Sequence, residues 1–428
     1  MHPADKLNDP TLAWPNEVLA MVFEAGMPLD DDFGLIASHV TQRWRDVALA
    51  CPRLWSKIQW REPYTELEIE RIMTFLWRSK TSPVEIYFNP LCSEPHHILP
   101  VFQMITHDHI EHCSHLSIWE IRPDHLLKVL KNIFSVPAPM LKSIDLGPEE
   151  EIYFETRILP FGAPLLTAAH LSMVEPSTLC FSLPAFKNLT SLRLTDLYID
   201  DQDQKGCDSF GRTLMALPAL RHLEIQLAHM LTAGSGQLAL ESAINSIHAT
   251  SLTTLSLPGP EFREPRLAGD EELTSHFPSL RHLIFTNHVG ESPNVGVIAR
   301  RFPNITRLTY QVSEINAYIN NIGHFLDAIS LVSEATETSG GLPTTLWPQL
   351  DTIAVSALHE TNDALQLYEK ISRLQGAGIQ IRKLKLPNAF FAQSTEAVER
   401  LRQIVELERY SLDWPSMPYD RHYDSYFG

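Results

Sequence analysis

One motif, Pro-x-Leu-x-x-Leu-x-Leu, recurs along this chain of 428 residues and limits its fold more than any other feature. The clearest copies are Pro218-Ala-Leu-Arg-His-Leu-Glu-Ile225 and Pro278-Ser-Leu-Arg-His-Leu-Ile-Phe285. Others end at Leu146, Tyr310 and Val355, partial ones at Leu194, Leu257 and Leu386, and weaker ones at Ile118, Met173 and Leu412. Successive ends lie 21 to 32 residues apart, apart from one step of 45 that carries a loop-like Thr336-Glu-Thr-Ser-Gly-Gly341. Within each copy apolar and polar residues alternate, as in Leu192-Arg-Leu-Thr195, which is the pattern of a short strand with one packed face. Between copies the apolar residues follow a helical period: Val295, Ile298, Ala299 and Phe302 in one stretch, Leu367, Tyr368, Ile371 and Leu374 in another, and Ile315 to Ile329 in a third. Several of these stretches end on an apolar residue followed by proline (Leu217-Pro218, Phe277-Pro278, Phe302-Pro303). Proline cannot continue helical bonding and drives its predecessor into extended geometry, so it separates helix from strand.

The repeating unit is therefore helix, proline, short strand. A doubly wound sheet buries both faces and needs unbroken Val/Ile/Leu strands. Alternating strands instead predict a solenoid of irregular leucine-rich repeats, a horseshoe with an open, concave parallel sheet. An ordinary α/β domain with amphipathic edge strands is the alternative. On the solenoid reading the polar positions face the open sheet. These are Arg193, Thr195, His222, Glu224, Gln226, His282, Thr286, Arg307, Thr309 and Gln311, of which Arg193, His222, Glu224, Gln226, His282, Thr286, Arg307 and Gln311 form the expected substrate-binding set.

Charge and composition remove several functions. The formal net charge of −18 opposes binding by phosphate neutralisation, so no nucleic acid is expected. No apolar run reaches the ~18 residues of a membrane span, and the first residues lack a secretory signal. Five cysteines, none spaced C-x-x-C, fit reduced intracellular thiols and a cytoplasmic or nuclear setting. His107-Asp-His-Ile-Glu-His-Cys-Ser-His115 holds enough donors for a metal, yet its spacing fits no standard site and it runs into a repeat strand. His96-His97 reads as loop surface. Gly234-Ser-Gly236 lacks the full nucleophile-elbow spacing, and Gly376-Ala-Gly378 follows a helix instead of opening one. Neither a metal, a cofactor nor a catalytic residue is expected. The acidic runs Glu149–Glu151, Asp200-Asp201 and Asp270–Glu272 read as loop surface that would favour a basic partner.

The first sixty residues are different. Trp14-Pro-Asn-Glu-Val-Leu19 opens a helix, with Val18, Leu19, Val22 and Phe23 on one apolar face. A second helix runs through Leu35, Ile36, Val40, Trp44 and Val47, and Cys51-Pro-Arg-Leu-Trp55 begins a third segment. Four of the eight tryptophans (Trp14, Trp44, Trp55, Trp60) fall here, more than three short helices can bury, so the surplus should face other surfaces. Trp14-Pro-x-Glu-Val-Leu19, Val40-Thr-Gln-Arg-Trp-Arg-Asp-Val-Ala48 and Pro52-Arg-Leu-Trp-Ser-Lys-Ile58 together resemble the F-box of fungal F-box proteins. Leu76-Trp-Arg-Ser-Lys-Thr-Ser-Pro83 and Val84-Glu-Ile-Tyr87 are similar to the helix-and-strand unit that often follows it. The family usually has leucine where Trp14 stands.

That resemblance, over residues 11–90, implies a non-catalytic substrate receptor. The F-box would dock on a Skp-type adaptor, and through it a cullin, while the repeats hold a protein substrate. Pro15, Val18, Leu19, Val22, Val40 and Trp44 would face the adaptor, with Leu54 and Trp55 supporting the box. The expected division is residues 1–10 disordered, 11–60 F-box, 61–105 connecting unit, 106–414 repeats and 415–428 tail. A ligase-independent repeat scaffold with a vestigial box, and more remotely an α/β hydrolase, are the competing readings.

Overall fold

The structure, a computed structural model, describes residues 10–27, 32–60, 65–89, 99–133, 135–154, 157–175, 183–197, 204–227, 251–258, 277–286, 295–311, 326–330, 347–356, 361–393 and 395–411. These fall into two compact units. The first comprises Met1–Glu150, Ile158–Leu166 and Pro184–Phe186; the second comprises Glu151–Arg157, Thr167–Leu183 and Lys187–Gly428.

The first unit begins with three helices, α1 (Asn16–Gly26), α2 (Phe33–Val40) and α3 (Gln42–Ala50), closed by a 3-10 turn at Pro52–Trp55. Thr41 caps α3 by accepting a hydrogen bond from the Trp44 amide at 3.1 Å. Leu19, Phe23, Ala37, Val47, Ala48, Leu54 and Trp55 are buried between these elements. Their close packing requires Gly34, because a Cβ there would sit 2.9 Å from the Leu54 carbonyl oxygen, a backbone atom with no room to retreat. Next come β1 (Lys57–Gln59), α4 (Glu66–Ser79), β2 (Val84–Phe88), α5 (Leu99–His109), β3 (Cys113–Ile121), α6 (Pro123–Ile133) and β4 (Ser143–Pro148). The four strands pair in parallel, each with the next in sequence.

Two of the four amino-terminal tryptophans are taken up inside this unit. Trp55 packs edge-on against Phe75 of α4, with the Arg78 guanidinium 4.3 Å from its ring centre, and Trp60 meets Phe88 and Phe102. The expected surplus of tryptophan is thus smaller than the three helices alone suggest, because the neighbouring α/β layer supplies core for it. Trp14 stays exposed and Trp44 half-buried.

The second unit carries β5 (Ala168–Ser172), β6 (Ser191–Leu197), β7 (His222–Leu227), β8 (Thr254–Pro258), β9 (His282–Thr286), β10 (Arg307–Gln311), β11 (Thr352–Val355), β12 (Lys383–Leu386) and β13 (Glu406–Arg409). These too are parallel and paired in chain order. Neither unit reverses its strand order, as a doubly wound sheet must at its switch point. The fold is mixed α/β with sequential parallel strands. Helices lie between many of the strands, and those at Val295–Arg301 and Thr361–Gly376 cover the two stretches expected from periodicity except Phe302, which follows the first helix. Val295, Ile298, Ala299, Phe302, Leu367, Ile371 and Leu374 are all buried; the Ile315–Ile322 part of the third stretch lies outside the described residues.

The motif copies end within strands at Ile118, Leu146, Leu194, Ile225, Leu257, Phe285, Tyr310, Val355 and Leu386, every one buried. One expected end is corrected. The copy assigned to Met173 closes at Leu171, which registers with Leu194, and Met173 lies just past β5 with φ of 53°. Leu412 is outside the described residues, and the last strand instead places Leu407 opposite Leu384. Met173 belongs to a series. Glu120, Met173 and Asp196 each stand two residues past the closing apolar residue of their strand, at φ of 51°, 53° and 51°. Glu120 and Asp196 fall inside β3 and β6 where the pairing register shifts, and Met173 just past β5. The same left-handed step thus recurs with residues that carry a Cβ where glycine would be easier.

Candidate functional site

Two surfaces collect the residues singled out from the sequence. The first lies on the three amino-terminal helices. Arg43 of α3 reaches back to the chain start: its Nη1 donates to the Thr11 carbonyl at 2.6 Å, its Nε to Asn16 Oδ1 at 3.0 Å, and its Nη2 to the Trp14 carbonyl. Trp44 Nε1 donates to Thr11 Oγ1 at 3.0 Å while its ring lies 4.9 Å from that of Phe23. These contacts fasten residues 11–16 against α3 and so set where α1 begins. Helical spacing then divides α1 into two faces. Leu19 and Phe23 point inward, fully buried, while Val18, Met21 and Val22 stay 42%, 70% and 42% exposed. On α2, Ile36 and Val40, four residues apart, are each 50% exposed.

Of the residues expected to face the adaptor, Pro15, Val18, Val22 and Val40 lie on the surface and Trp44 is half-buried. Leu19 is corrected: at 0% exposure it belongs to the module's own core, because it shares the inward face with Phe23 four residues on. Met21 and Ile36, which the sequence reading left out, belong to the exposed set. Met21 stands one turn from Val18 and Ile36 one turn from Val40, which was the available signal.

The second surface is the polar face of the strands in the second unit. Register places His222, Thr254, His282, Arg307, Thr352, Lys383 and Glu406 in one row. Arg193, Glu224, Ser256, Ile284, Thr309, Ala354, Lys385 and Glu408 form the next. All eight positions of the expected substrate set stand on this face by register and strand parity. The expectation of an open face is corrected for part of it: Glu224 and Thr286 are 5% and 2% exposed, and Thr195 and Thr309 are also buried.

Two causes account for this burial. Strands ~4.8 Å apart let long side chains roof over short ones. Arg193 Nε, for example, bonds Glu224 Oε2 at 2.6 Å, and Gln226 Nε2 bonds its other oxygen at 2.5 Å. The face also turns inward. Tyr410, just past β13, lies close enough to interact electrostatically with Arg307 of β10 and Glu224 of β7, six strands away. In a flat sheet six spacings would be about 29 Å.

The electrostatics follow from this enclosure. Burial pushes the His282 imidazole down to about 3, with Arg307, His222 and Lys385 adding repulsion, while its Nε2 sits 2.7 Å from Thr309 Oγ1. Burial likewise lowers His222 and Arg307 and raises the Tyr410 phenol to about 12. Lys383 and Lys385 both reach Glu408, at 2.5 and 3.4 Å. The partial copy Ile381-Arg-Lys-Leu-Lys-Leu386 already implied these two lysines by parity, but nothing in the sequence announced Tyr410.

The histidine-rich stretch does not converge. His109 Nδ1 and His112 Nε2 are 3.1 Å apart at the end of α5, whereas His115 lies on β3 and pairs with Ser143 Oγ at 2.5 Å. Among the described residues no three His, Cys, Asp or Glu side chains come together as a metal site. Cys113 is buried and its thiol is pushed up to about 12, far from a reactive thiolate. Gly234-Ser-Gly236, His96-His97 and the acidic runs at 200–201 and 270–272 lie outside the described residues. No helix among the described residues is long and apolar enough to cross a membrane. No family model and no curated protein matches the chain.

Proposed function

We propose that this chain is the substrate-recognition subunit of a cullin–Skp–F-box ubiquitin ligase. Its three-helix module binds a Skp-type adaptor, and through it a cullin; the polar strand face of the second unit receives a protein substrate. One observation carries the reading: Val18, Met21 and Val22 on α1 and Ile36 and Val40 on α2 stay exposed although the same helices bury Leu19, Phe23 and Ala37 completely. Large apolar side chains held outward at helical spacing from a well-packed core are what a protein-binding surface needs. The resemblance of residues 11–90 to the F-box names the adaptor. On this reading the chain needs no cofactor and supplies no bond-making group. Bridging adaptor and substrate raises the effective concentration of substrate lysines beside the charged conjugating enzyme. The setting would be cytoplasmic, nuclear or both.

Co-purification of the full chain with a Skp-type adaptor tests this, with a known F-box protein as positive control. The wild type is expected to hold the adaptor, and the double variant Val18→Asp, Val22→Asp to lose it while keeping its melting temperature. A wild-type chain that leaves the adaptor behind would return the reading to a ligase-independent scaffold.

A further inference from the structure

The histidine-rich stretch brings no three donors together, yet two of its imidazoles stand as a chelating pair. His109 ends α5, and the 3-10 turn Ile110–His112 follows it, closed by the Cys113 amide donating to the Ile110 carbonyl. Ile110 and Cys113 are both 0% exposed, so the backbone that carries the two histidines is anchored in the core of the first unit. The imidazoles themselves are half-buried. His109 Nδ1 and His112 Nε2 are 3.1 Å apart, and the ring planes cross at 78°. A linear N–H···N bond of that length would hold the ring centres about 5.4 Å apart. Two nitrogens aimed at one point ~2.05 Å from each, a zinc–imidazole bond length, would hold them about 4.8 Å apart. The centres are 4.9 Å apart. A cation at that point would see the two nitrogens at about 98°, between the octahedral and tetrahedral angles.

We propose that His109 Nδ1 and His112 Nε2 bind one divalent transition-metal ion of the zinc class, with water completing its coordination. Imidazole nitrogen suits zinc, copper or nickel, whereas calcium and magnesium need oxygen donors. The local field has the right sign: Asp108 and Glu111, both exposed, lie close enough to interact electrostatically with His109 and His112 respectively. The neighbouring soft and nitrogen donors are engaged elsewhere. Cys113 donates its thiol proton to the His115 carbonyl at 3.1 Å, and His115 pairs with Ser143. Each ligating ring keeps its proton on the other nitrogen, so binding displaces none once the imidazoles are neutral. The pair spans the joint between α5 and the turn that leads into β3. A bound ion clips that joint and stabilises the first unit by mass action. The site is independent of the adaptor surface and of the strand face.

The test is zinc titration of the reduced full chain at about pH 7.5, where an imidazole of ordinary value is mostly neutral, in competition with a chromophoric chelator. The double variant His109→Gln, His112→Gln should lose one zinc equivalent per chain relative to the wild type. Each single variant should weaken that equivalent at least ten-fold, and the control His96→Gln, His97→Gln should keep it. A hundredfold excess of calcium or magnesium should leave the zinc in place. Zinc should also raise the melting temperature of the wild type more than that of the double variant. Should the double variant fail to fold, the single variants carry the same comparisons. Equal zinc stoichiometry and affinity in wild type and folded variants, ready displacement by calcium, or equal melting shifts would each overturn the proposal.

Discussion

The amino-terminal helices and the strand face of the second unit handle exposure in opposite ways. The helices hold Met21, Val22, Ile36 and Val40 out in solvent, apolar groups that gain nothing from water. The strands draw Glu224, Arg193 and His282 inward, groups that gain a great deal from it. Each arrangement is stable only with compensation. Buried polar groups compensate one another, as Arg193, Glu224 and Gln226 do, and that can be completed within one chain. Exposed apolar groups have no internal remedy and become favourable only when another surface covers them. On the proposed function, the helical module depends on a partner more strongly than the strand face does, although the strand face is richer in chemistry.

The contrast breaks most visibly at α1. Phe23→Ala should cost about 3–5 kcal/mol of stability by opening a cavity in the helical core. Val22→Asp, one residue away, should stay within about 0.5 kcal/mol, because its side chain lies outward. Denaturant titration of both variants checks this, and equal losses would mean that the outward face is already covered. Next in size is the ion pair on the strand face. Glu224→Ala should cost about 3 kcal/mol, since Arg193 would be left buried without its carboxylate. Glu24→Ala, which releases Arg53 with a side chain 70% exposed, should move the same titration hardly at all.

The histidines give a pH signature confined to the strand face. His282 is held neutral in the fold, down at about 3, whereas the unfolded chain takes up its proton below the ordinary value of 6.5. Its contribution is constant above about pH 6.5 and is lost as pH falls toward 3, at up to ~1.4 kcal/mol per pH unit. Thermal melts between pH 7 and 5 should show this slope, and His282→Gln should flatten it. The smallest effect is a gain. Lys80 ends α4 at φ of 53° and ψ of −118°, a conformation that favours glycine, so Lys80→Gly should stabilise the first unit by about 1 kcal/mol without touching either surface.

Much of this was legible beforehand. The repeated motif located nine strands and their polar face because strand alternation is strictly local: whichever residue follows a buried leucine must point the other way. The same rule would have added Ser256, Lys383 and Lys385. Leu19 could not be separated from Val18 and Val22 by pattern alone, since all three belong to one apolar run and only packing against Phe23, α2 and α3 decides which of them turn inward. The left-handed steps at Glu120 and Met173 carry no sequence signal, because neither residue type prefers that conformation.

By itself, the sequence determined the alternation of helix and strand, their parallel succession, and the amino-terminal helices with more apolar residues than they can bury, since each of these follows from the spacing of neighbours a few residues apart. Only the tertiary structure decided how far each surface is hidden. The burial of Glu224 and Thr286, the approach of Tyr410 to Arg307 across several strands, and the capture of Trp55 and Trp60 by α4, β2 and α5 depend on distances between segments far apart in the chain. Burial is a property of what lies opposite a side chain, and that is set by the accumulated turn of many strands and not by any local spacing.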